Sequence, residues 1–223
     1  MSHEKPNSSL LRPSFREERR LKKQGYHGIA GIDEVGRGAL AGPVMAAAVI
    51  LPDGMDVSWL NQVRDSKQLT PGRREVLFQL IQETAIAIGV GSIPADVIDD
   101  VGIAPATRLA MKQAIDRLSP PAEALLIDYF HLPEVSLPQK GVTDGDSLCF
   151  SIACASIIAK VTRDHLMAEF DKTYPGYQLA QHKGYGTEGH LTRLRQLGPS
   201  PIHRRSFQPV KDAINLSFSN LPY

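Results

Sequence analysis

The 223-residue sequence predicts an α/β fold, in which helices pack on a sheet. Short apolar runs of strand length, bounded by Gly and Pro, dominate the chain up to residue 130. Segments with helical periodicity lie between these runs and after them. Because a chain of this length with 42% hydrophobic residues can bury one sizeable core, we expect a single domain.

Four apolar runs predict four β-strands. Gly42 and Pro43 separate the first run from the second, which suits two neighbouring strands joined by a turn. The first two runs are short and mostly apolar, so they are expected to be neighbouring buried strands. The runs are residues 28–33, 44–51, 86–93 and 123–130.

Helices are predicted from periodicity and from capping residues. The first of them begins with Thr70 as N-cap and Pro71 in its first turn. A later stretch is apolar almost all round in its first half, which is typical of a helix at the centre of the core. Residues 131–145, between the fourth strand and that helix, are expected to form a loop. The predicted helices are residues 70–85, 104–118, 147–170, 186–198 and 207–218, of which the last two are peripheral.

Both ends of the chain are rich in Lys and Arg, although the formal net charge is only +1. Basic segments suit phosphate binding, but they also serve as solubilising tails, so charge alone does not establish a nucleic-acid partner. We expect residues 1–25 to form a basic, flexible N-terminal tail and residues 214–223 a C-terminal tail.

The sequence has no feature of a secreted or membrane protein. Cys149 and Cys154 are the two cysteines, and their spacing in an apolar helical stretch fits neither a disulfide framework nor a zinc site. No apolar run reaches the length of a membrane span, and the N-terminus lacks the apolar centre of a signal peptide. A cytoplasmic protein without membrane contact is predicted.

Acidic residues fall at three places where strands end or a helix begins. Asp33 and Glu34 end the first strand, Asp128 lies inside the apolar fourth strand, and Asp146 precedes the long helix. An ionised carboxylate among apolar residues is costly unless it is paired, hydrogen-bonded or bound to a metal. Taken alone, Asp128 would more often be a cap or a salt-bridge partner. Several converging carboxylates, however, repel one another, and oxygen-preferring divalent ions relieve that repulsion.

Two geometric points limit this acidic site. Asp164 lies 18 residues beyond Asp146 on one predicted helix, about 27 Å away, and so belongs elsewhere. Consecutive strand residues point to opposite faces, so Glu34 does not share the direction of Asp33. Either the strand breaks at Glu34, as Gly36 permits, or Glu34 faces another part of the site.

The stretch GRGALAG, residues 36–42, has two interpretations. Its glycines would let backbone amides approach a mononucleotide phosphate. The spacing fits neither common nucleotide-binding motif, and Pro43 opens a strand where those motifs open a helix. We therefore favour a loop that places Arg37 and backbone amides against a nucleic-acid phosphodiester.

Six segments, in order from residue 28 to about 211, resemble the signature blocks of type 2 ribonucleases H, the bacterial ribonuclease HII family. One block alone would be weak support, but six in the same order are highly specific. The blocks are GIDEVGRGALAGPVMAAAVIL (31–51), DSKQLT (65–70), LLID (125–128), GDS with ASIIAKVTRD (145–147 and 155–164), HKGYGT (182–187) and HRRSFQPV (203–210).

The resemblance implies an RNase H-like fold, a central mixed β-sheet flanked by helices, with a helical C-terminal region, over a catalytic domain at residues 26–213. It implies endonucleolytic hydrolysis of the RNA strand of RNA/DNA hybrids. It also implies nicking 5′ to a single ribonucleotide in duplex DNA, with 5′-phosphomonoester products, in support of ribonucleotide removal. Two divalent ions, Mn²⁺ or Mg²⁺, are the implied cofactors, and nucleic acid is the implied partner.

The resemblance also implies residue roles. Gly36, Arg37 and Gly38 match the family's Gly-Arg-Gly, which contacts the backbone around the ribonucleotide and its 2′-hydroxyl. Metal binding and catalysis fall on the four acids Asp33, Glu34, Asp128 and Asp146. Further positions near the substrate backbone are Lys67, Ser156 and, within the stretch 203–205, Arg204.

Tyr185 matches the family's tyrosine, which stacks on the sugar next to the ribonucleotide and checks for a DNA junction. Its alternative is a core or helix-docking aromatic, although a Gly-flanked loop with His182 and Lys183 favours exposure. His182 and His190 suggest a metal pair, but their spacing matches no helical ligand pattern, so we expect none.

The chain departs from the family pattern at two positions. Tyr129 stands where the family often has a small Gly after the strand aspartate, so a bulkier loop is expected. Asp144 stands where a basic residue commonly precedes the Gly-Asp of the fourth acid, which adds negative charge beside the metal site.

Two other classes compete with this interpretation. Ribonuclease HIII has similar acids but an additional N-terminal substrate-binding domain. About 27 residues precede the first predicted strand here, which are too few for such a domain. A catalytically silent hybrid-binding module should lack one of the acids, and all four are present. Monomer is the default expectation. The family allows a sliding-clamp partner, but the C-terminal sequence NLSFSNLPY shows no motif that supports one.

Overall fold

A computed structural model describes residues 12–219 of the chain, with side chains over residues 12–215. Its centre is a five-stranded mixed sheet in the order β3-β2-β1-β4-β5. β1 pairs antiparallel with β2, and β2 with β3, whereas β1 with β4 and β4 with β5 are parallel. The predicted mixed sheet is confirmed. The strands are β1 (Ile29–Val35), β2 (Val44–Ile50), β3 (Ala87–Ile93), β4 (Ala124–Asp128) and β5 (Gln139–Val142).

Nine α-helices surround the sheet over residues 12–219. Thr70 caps α2 as predicted, because its hydroxyl accepts a hydrogen bond from the backbone N–H of Arg73 at 3.3 Å. Within this described part of the chain, no helix has both the length and the apolarity needed to cross a membrane. The helices are α1 (Arg16–Lys22), α2 (Pro71–Thr84), α3 (Ala95–Val101), α4 (Ile103–Asp116), α5 (Gly145–Leu148), α6 (Phe150–Thr173), α7 (Leu179–His182), α8 (Glu188–Leu197) and α9 (Gln208–Ser219).

The two faces of the sheet pack against different helices. Ile32 and Ala46 face a core completed by α4, whereas Ala47 and Val49 face a core completed by α6 and α2. The α6 backbone lies directly on β1 at Gly31, where a Cβ would come within 2.1 Å of the carbonyl carbon of Ser151. Glycine at this position therefore lets α6 run along β1 toward the acidic end of that strand.

The predicted loop at 131–145 is wrong at residues 139–142, which form the edge strand β5. Gln139 holds the chain before this strand: its side chain exchanges hydrogen bonds with the backbone of Leu132 at 2.8 and 2.9 Å. Pairing with β4 then supplies hydrogen-bond partners to the backbone of residues 139–142, a polar segment that has no apolar periodicity of its own. A periodicity argument has no signal for such an edge strand.

The predicted helix at 147–170 is in fact two helices, α5 and α6, interrupted at Cys149. Cys149 has extended backbone angles, φ −120° and ψ 128°, and pairs with Ser14 in an isolated parallel bridge. Ser14 donates its N–H to the carbonyl of Leu148 at 3.0 Å. A segment far away in the sequence therefore draws Cys149 out of the helix.

Both expected tails are shorter than predicted. Residues 16–22 of the expected N-terminal tail form α1, whose Glu18 is buried and accepts hydrogen bonds from Ser151 N–H at 3.0 Å and Ser151 Oγ at 2.7 Å. This carboxylate replaces the cap that Cys149 does not supply to α6. In the expected C-terminal tail, α9 continues to Ser219, and Ile214 packs against the core. The rest of the two tails, residues 1–11 and 220–223, lies outside the described residues.

Candidate active site

Three carboxylates meet at the carboxyl ends of the parallel strands β1 and β4. The last pair in their register is Ile32 with Ile127, so the next residues, Asp33 and Asp128, lie side by side. Asp33, Glu34 and Asp128 each offer a carboxylate oxygen within 4.8 Å of the others. The topology thus brings together Asp33 and Asp128, which are 95 positions apart in the chain.

Glu34 reaches this group although β1 does not break. The strand continues to Val35, and Glu34 stays paired with Ala46 of β2. β4, however, ends at Asp128, so no strand residue flanks Glu34 on that side. Its longer side chain can therefore bend around the strand end, and Asp33 Oδ1 accepts the Glu34 N–H at 2.7 Å. Of the two alternatives, the strand break does not occur, and Glu34 contributes to the same group of carboxylates as Asp33 from within a continuous strand.

The fourth predicted acid, Asp146, lies beside the group of three rather than within it. Asp146 is in α5 and is 8% exposed, and its carboxylate lies 4.0 Å from Lys67 Nζ. The charge of Asp65, an acid that the sequence analysis did not select, acts on Asp146 and raises its pKa. Asp65 caps the short 3₁₀ turn at 66–68 by accepting the N–H of Lys67 at 3.0 Å.

The proton affinities of all four acids are raised. Burial is the largest cause of the raised pKa of Asp33, followed by the charges of Glu34 and Asp128, while a hydrogen bond from Ser156 opposes it. Burial also raises the pKa of Glu34. It raises the pKa of Asp128 as well, although the Gly145 N–H, which donates to Asp128 Oδ1 at 2.7 Å, lowers that pKa in part. Burial, then Asp65 and Asp128, raise the pKa of Asp146 to about 7. The site therefore carries more negative charge than its own side chains neutralise.

A divalent cation fits this donor set. Glu34 Oε2 is buried and has no hydrogen-bond partner within the described residues, which leaves its lone pairs without a donor. All donors are carboxylate oxygens, the ligands of Mg²⁺ and Mn²⁺. Asp33, Glu34 and Asp128 would hold such an ion, with Asp146 at the side of the site.

A cleft of about 460 Å³ opens over Asp33 and Glu34, the two of these acids that line it. Lys67 reaches into it with an 82% exposed side chain, and Arg37 Nη1 lies 3.5 Å from Glu34 Oε1. Burial lowers the pKa of Lys67, whereas the negative charges of Asp65 and Asp146 raise it. The net shift of the Lys67 pKa is upward. Six predicted substrate-binding residues line the cleft: Gly36, Arg37, Gly38, Lys67, Ser156 and Tyr185.

Arg204, predicted to bind substrate, is instead a buried structural residue. Its side chain is 0% exposed, and its Nε and Nη1 donate to the carbonyls of Gly42 at 3.0 Å and Arg37 at 2.9 Å. A guanidinium enclosed in this way cannot contact a nucleic acid. It acts on the site by fixing the backbone of the Gly-Arg-Gly loop.

Arg163 has a similar role and was not selected from the sequence. It is also 0% exposed and donates to the carbonyls of Pro43, Lys183 and Ala41 at 2.9, 2.9 and 3.0 Å. A Cβ on Gly36, whose φ is +87°, would lie 2.3 Å from Arg163 Nε. Arg163 and Gly36 therefore require each other.

Tyr185 lies at the cleft without being free of the core. Its backbone bridges Ala39, and its ring lies 5.6 Å from the Arg163 guanidinium carbon. The ring is half-buried and lines the cleft. Both predicted environments are thus partly realised: one part of the ring is packed, and another part is available to a ligand.

A chain of histidines behind Tyr185 fixes its carbonyl. Ser200 N–H donates to His203 Nδ1 at 3.0 Å, so neutral His203 carries its proton on Nε2 and donates it to His190 Nε2 at 3.0 Å. His190 then carries its proton on Nδ1 and donates it to the Tyr185 carbonyl at 2.9 Å. Burial lowers the pKa values of both histidines to about 4.

The metal pair considered for His182 and His190 finds no free ligand atoms. His182 Nε2 bonds the Tyr177 carbonyl at 2.8 Å, and its Nδ1 accepts the Gly184 N–H at 3.2 Å. The two rings stack at 4.2 Å between centroids. Because every ring nitrogen already has a partner, the expectation of no metal at this pair stands.

Sequence reasoning missed three residues at or behind the site: Asp65, Lys160 and Arg163. Asp65 had a usable signal, because it lies two residues from the selected Lys67. Lys160 lines the cleft and pairs with Asp164 at 2.7 Å. It lies four residues after Ser156, one helical turn along α6, so helical spacing could have identified it. Arg163 had no signal, since burial of an arginine is not readable from its neighbours.

Carboxylates gathered at one end of a mixed α/β sheet, beneath a cleft with cationic side chains, define a class of hydrolases that act on phosphodiesters. Residues 30–210 match the family model of Ribonuclease HII. The chain belongs to the ribonuclease HII family. It is a ribonuclease H, an enzyme that hydrolyses the RNA strand of RNA/DNA hybrids.

Curated relatives match nearly the full chain. A Ribonuclease HII of Dehalococcoides mccartyi is 57% identical over 204 residues, which are 92% of this chain and 97% of that protein. A Ribonuclease HII of Geobacter sulfurreducens is 54% identical over 200 residues, 90% and 91% of the two chains.

Solved structures share the fold. The ribonuclease H2 of Pyrococcus horikoshii OT3 has a TM-score of 0.69 at 23% identity and covers 86% of this chain and 99% of its own. The RNase HII of Archaeoglobus fulgidus, solved in complex with PCNA, has a TM-score of 0.64 at 23% identity, with 87% and 98% covered. Bst-RNase HIII in complex with Mn²⁺ has a TM-score of 0.62 at 19% identity, with 98% and 77% covered.

Proposed function

We propose that this ribonuclease H also nicks duplex DNA on the 5′ side of a single embedded ribonucleotide, with two divalent ions, and so supports ribonucleotide removal from DNA. The observation that carries the proposal is the group of Asp33, Glu34 and Asp128 within 4.8 Å of one another, at the end of the cleft formed by the Gly-Arg-Gly loop and Tyr185. The leaving group is the 3′-oxygen of the preceding nucleotide, and the product carries a 5′-phosphate.

The proposed ions are Mg²⁺ or Mn²⁺, held by Asp33, Glu34, Asp128 and Asp146; when bound, they supply an activated water and stabilise the leaving oxygen. Mn²⁺ in the structure of Bst-RNase HIII supports this choice. The chain's own residues position the reacting phosphate. Lys67 and Arg37 extend into the cleft, and both offer N–H donors to phosphate oxygens.

Recognition of the ribose is proposed for the Gly-Arg-Gly loop, since only the 2′-hydroxyl distinguishes RNA from DNA at one sugar. Gly36 is needed by the fold itself, because a Cβ there would collide with Arg163. Gly38 is different: it is exposed, and a Cβ on it would meet no atom of the described residues within 4 Å. Because packing within this part of the chain does not require the glycine, close approach of the substrate backbone is its proposed reason.

Tyr185 is proposed to contact the sugar next to the ribonucleotide. Its ring lines the same cleft as the Gly-Arg-Gly loop, and its backbone is bridged to Ala39 just beyond that loop. The ring and the loop are therefore held at a constant separation. That arrangement supports simultaneous contact with two neighbouring nucleotides.

The proposed setting is a cytoplasmic monomer that acts on nucleic acid. The thiols of Cys149 and Cys154 are free and buried, which suits a reducing compartment. The Archaeoglobus fulgidus protein was solved in complex with PCNA, which makes a sliding clamp a candidate partner for this chain as well. The C-terminal residues offer no clamp motif, so clamp binding is not included in the proposal.

The proposal is tested with an end-labelled DNA duplex that contains one ribonucleotide, incubated with Mg²⁺, Mn²⁺ or EDTA, beside an all-DNA duplex and an RNA/DNA hybrid. A metal-dependent nick 5′ to the ribonucleotide is expected, with no cleavage of all-DNA. Asp128→Asn should fold normally and lose cleavage, whereas the matched control Asp116→Asn, an exposed acid on α4, should retain it. Cleavage of the hybrid without any nick at the lone ribonucleotide would overturn the proposal.

The loop assignment has its own pair of variants. Gly38→Ala should leave the melting temperature unchanged and reduce cleavage at least tenfold, because the added methyl occupies space that the chain leaves open. Gly72→Ala, in the first turn of α2, also adds a methyl into open space and should leave cleavage unchanged. Full activity of Gly38→Ala would remove this glycine from the substrate contact.

Tyr185→Ala should reduce nicking at a lone ribonucleotide more than cleavage of a long hybrid, because only the former requires a DNA junction beside the ribose. The measurement is the ratio of kcat/KM for the two substrates in the variant and the wild type. Equal losses on both substrates would argue against a junction-sensing role for Tyr185.

A further inference from the structure

Tyr129 combines exposure with backbone strain directly beside the acidic site. It follows Asp128, the last residue of β4, and is 72% exposed. Its φ is +60°, a left-handed conformation that costs free energy in any residue other than glycine. Single exposed aromatic residues are ordinary, but a large one held in a strained conformation next to a catalytic carboxylate calls for a reason.

Tyr129 is joined to the cleft by a continuous series of contacts. Its ring lies edge-on to Phe130 at 6.0 Å between centroids, and the guanidinium carbon of Arg37 lies 4.9 Å from the centre of the Phe130 ring. Arg37 in turn pairs with Glu34 at 3.5 Å. Phe130 is the packed member of this series, and Tyr129 is its exposed end.

The backbone of Tyr129 is held firmly in place. Its N–H donates to the carbonyl of Val142 at 3.0 Å, and the Phe130 N–H donates to the carbonyl of Asp128 at 2.6 Å. The tight turn formed in this way directs the two aromatic side chains to different environments. Packing within the described residues covers Phe130 but leaves most of the Tyr129 ring open.

We infer that Tyr129 is a substrate-contacting residue, whose ring packs against a sugar of the nucleic-acid strand that flanks the scissile phosphate. The inference rests on the proposed function, which places the phosphodiester at Asp33 and Asp128. An aromatic ring offers an apolar face to a sugar or base without sequence preference. The contact is made in both ground state and transition state, so it contributes to substrate binding rather than to the chemical step.

The test compares Tyr129→Gly, Tyr129→Phe and the control Gln178→Gly. Tyr129→Gly removes the ring and relieves the positive φ, so KM should rise at least about fivefold with kcat unchanged. Its melting temperature should not fall and should rise by about 2–4 °C. Tyr129→Phe keeps the ring and should keep KM within about twofold. Gln178 also has a positive φ, at +62°, so Gln178→Gly should gain melting temperature with KM unchanged.

These results separate the inference from the proposed function. If the wild type does not nick the duplex that contains one ribonucleotide, the proposed function fails. If the wild type nicks it and Tyr129→Gly has the wild-type KM, only the role of Tyr129 is overturned. A fall in melting temperature of Tyr129→Gly would show that the ring serves the fold, and a KM of Tyr129→Phe as high as that of Tyr129→Gly would assign the contact to the hydroxyl. Either result overturns the inference.

Discussion

Acidification should remove the stability that the buried neutral pair His190 and His203 contributes, whereas the raised pKa values of the site carboxylates act in the opposite direction. In the folded protein both rings are neutral, because each gives and accepts one hydrogen bond in the chain from Ser200 to the Tyr185 carbonyl. A proton added to either ring would place two N–H groups against each other. Burial is the main reason that both pKa values are lowered from 6.5 to about 4.

The sign and size of the effect follow from linkage. Between pH 6.5 and 4 the unfolded chain binds protons at these histidines and the folded protein does not, so stability is present above pH 6.5 and is lost as the pH falls toward 4. At pH 5 each histidine stabilises the unfolded state by about 2 kcal/mol. The pair should therefore cost about 4 kcal/mol of unfolding free energy between pH 7.5 and 5.

Urea unfolding at pH 7.5, 6 and 5 measures this loss. His190→Asn keeps a donor and an acceptor but removes one titration, so its loss between pH 7.5 and 5 should be at least 2 kcal/mol smaller than that of the wild type. The control is Leu194→Ala, a buried residue of the same helix α8. It should lower stability by about 2–5 kcal/mol at every pH and leave the pH dependence unchanged.

The comparison between variants cancels the titration of all other groups. If His190→Asn loses as much stability on acidification as the wild type does, the histidine chain is not the titrating element. If Leu194→Ala also flattens the pH dependence, general loosening of α8 explains the effect. Either result would refute the assignment of neutral histidines behind Tyr185.

Three further perturbations test the support of the site. Glu18→Ala removes the carboxylate that caps α6 at Ser151, and urea unfolding should show a loss of about 1–3 kcal/mol. Gly36→Ala forces a Cβ to within 2.3 Å of Arg163 and should reduce both thermal stability and cleavage, measured by melting and by nicking of the test duplex. Arg163→Lys cannot supply all three carbonyl hydrogen bonds and should lower the unfolding free energy by about 2–4 kcal/mol in urea.

Much of the sheet was predictable because its strands carry their own signals. β1 and β2 are apolar runs with a turn between them, and the structure places them within two residues of the predicted bounds. The acids at the ends of β1 and β4 were predictable for a related reason: an acid at the end of an apolar strand stands out. That Asp33 and Asp128 lie side by side, however, follows from the parallel pairing of β1 with β4, which the sequence analysis did not predict.

What the sequence could not show depends on contacts between distant segments. β5 is a strand because Gln139 and β4 hold it, and its own residues have no strand periodicity. The interruption at Cys149 is imposed by Ser14, more than 130 residues earlier. Asp65 acts on the site only through its position near Asp146, whose pKa its charge raises. Local pattern contains no information about any of these pairs.

The roles of the basic residues in the C-terminal region also could not be predicted from local sequence pattern. The positive charge of this region suggested phosphate binding, yet Arg204 is fully buried, as is Arg163 of α6. Together they donate to the carbonyls of Arg37, Ala41, Gly42 and Pro43, in the segment between β1 and β2 that has no secondary structure to satisfy them. The inner side of this loop is thus fixed by two arginines. Under the proposed function, its outer side faces a phosphodiester, and phosphate contact falls to the exposed side chains of Arg37 and Lys67.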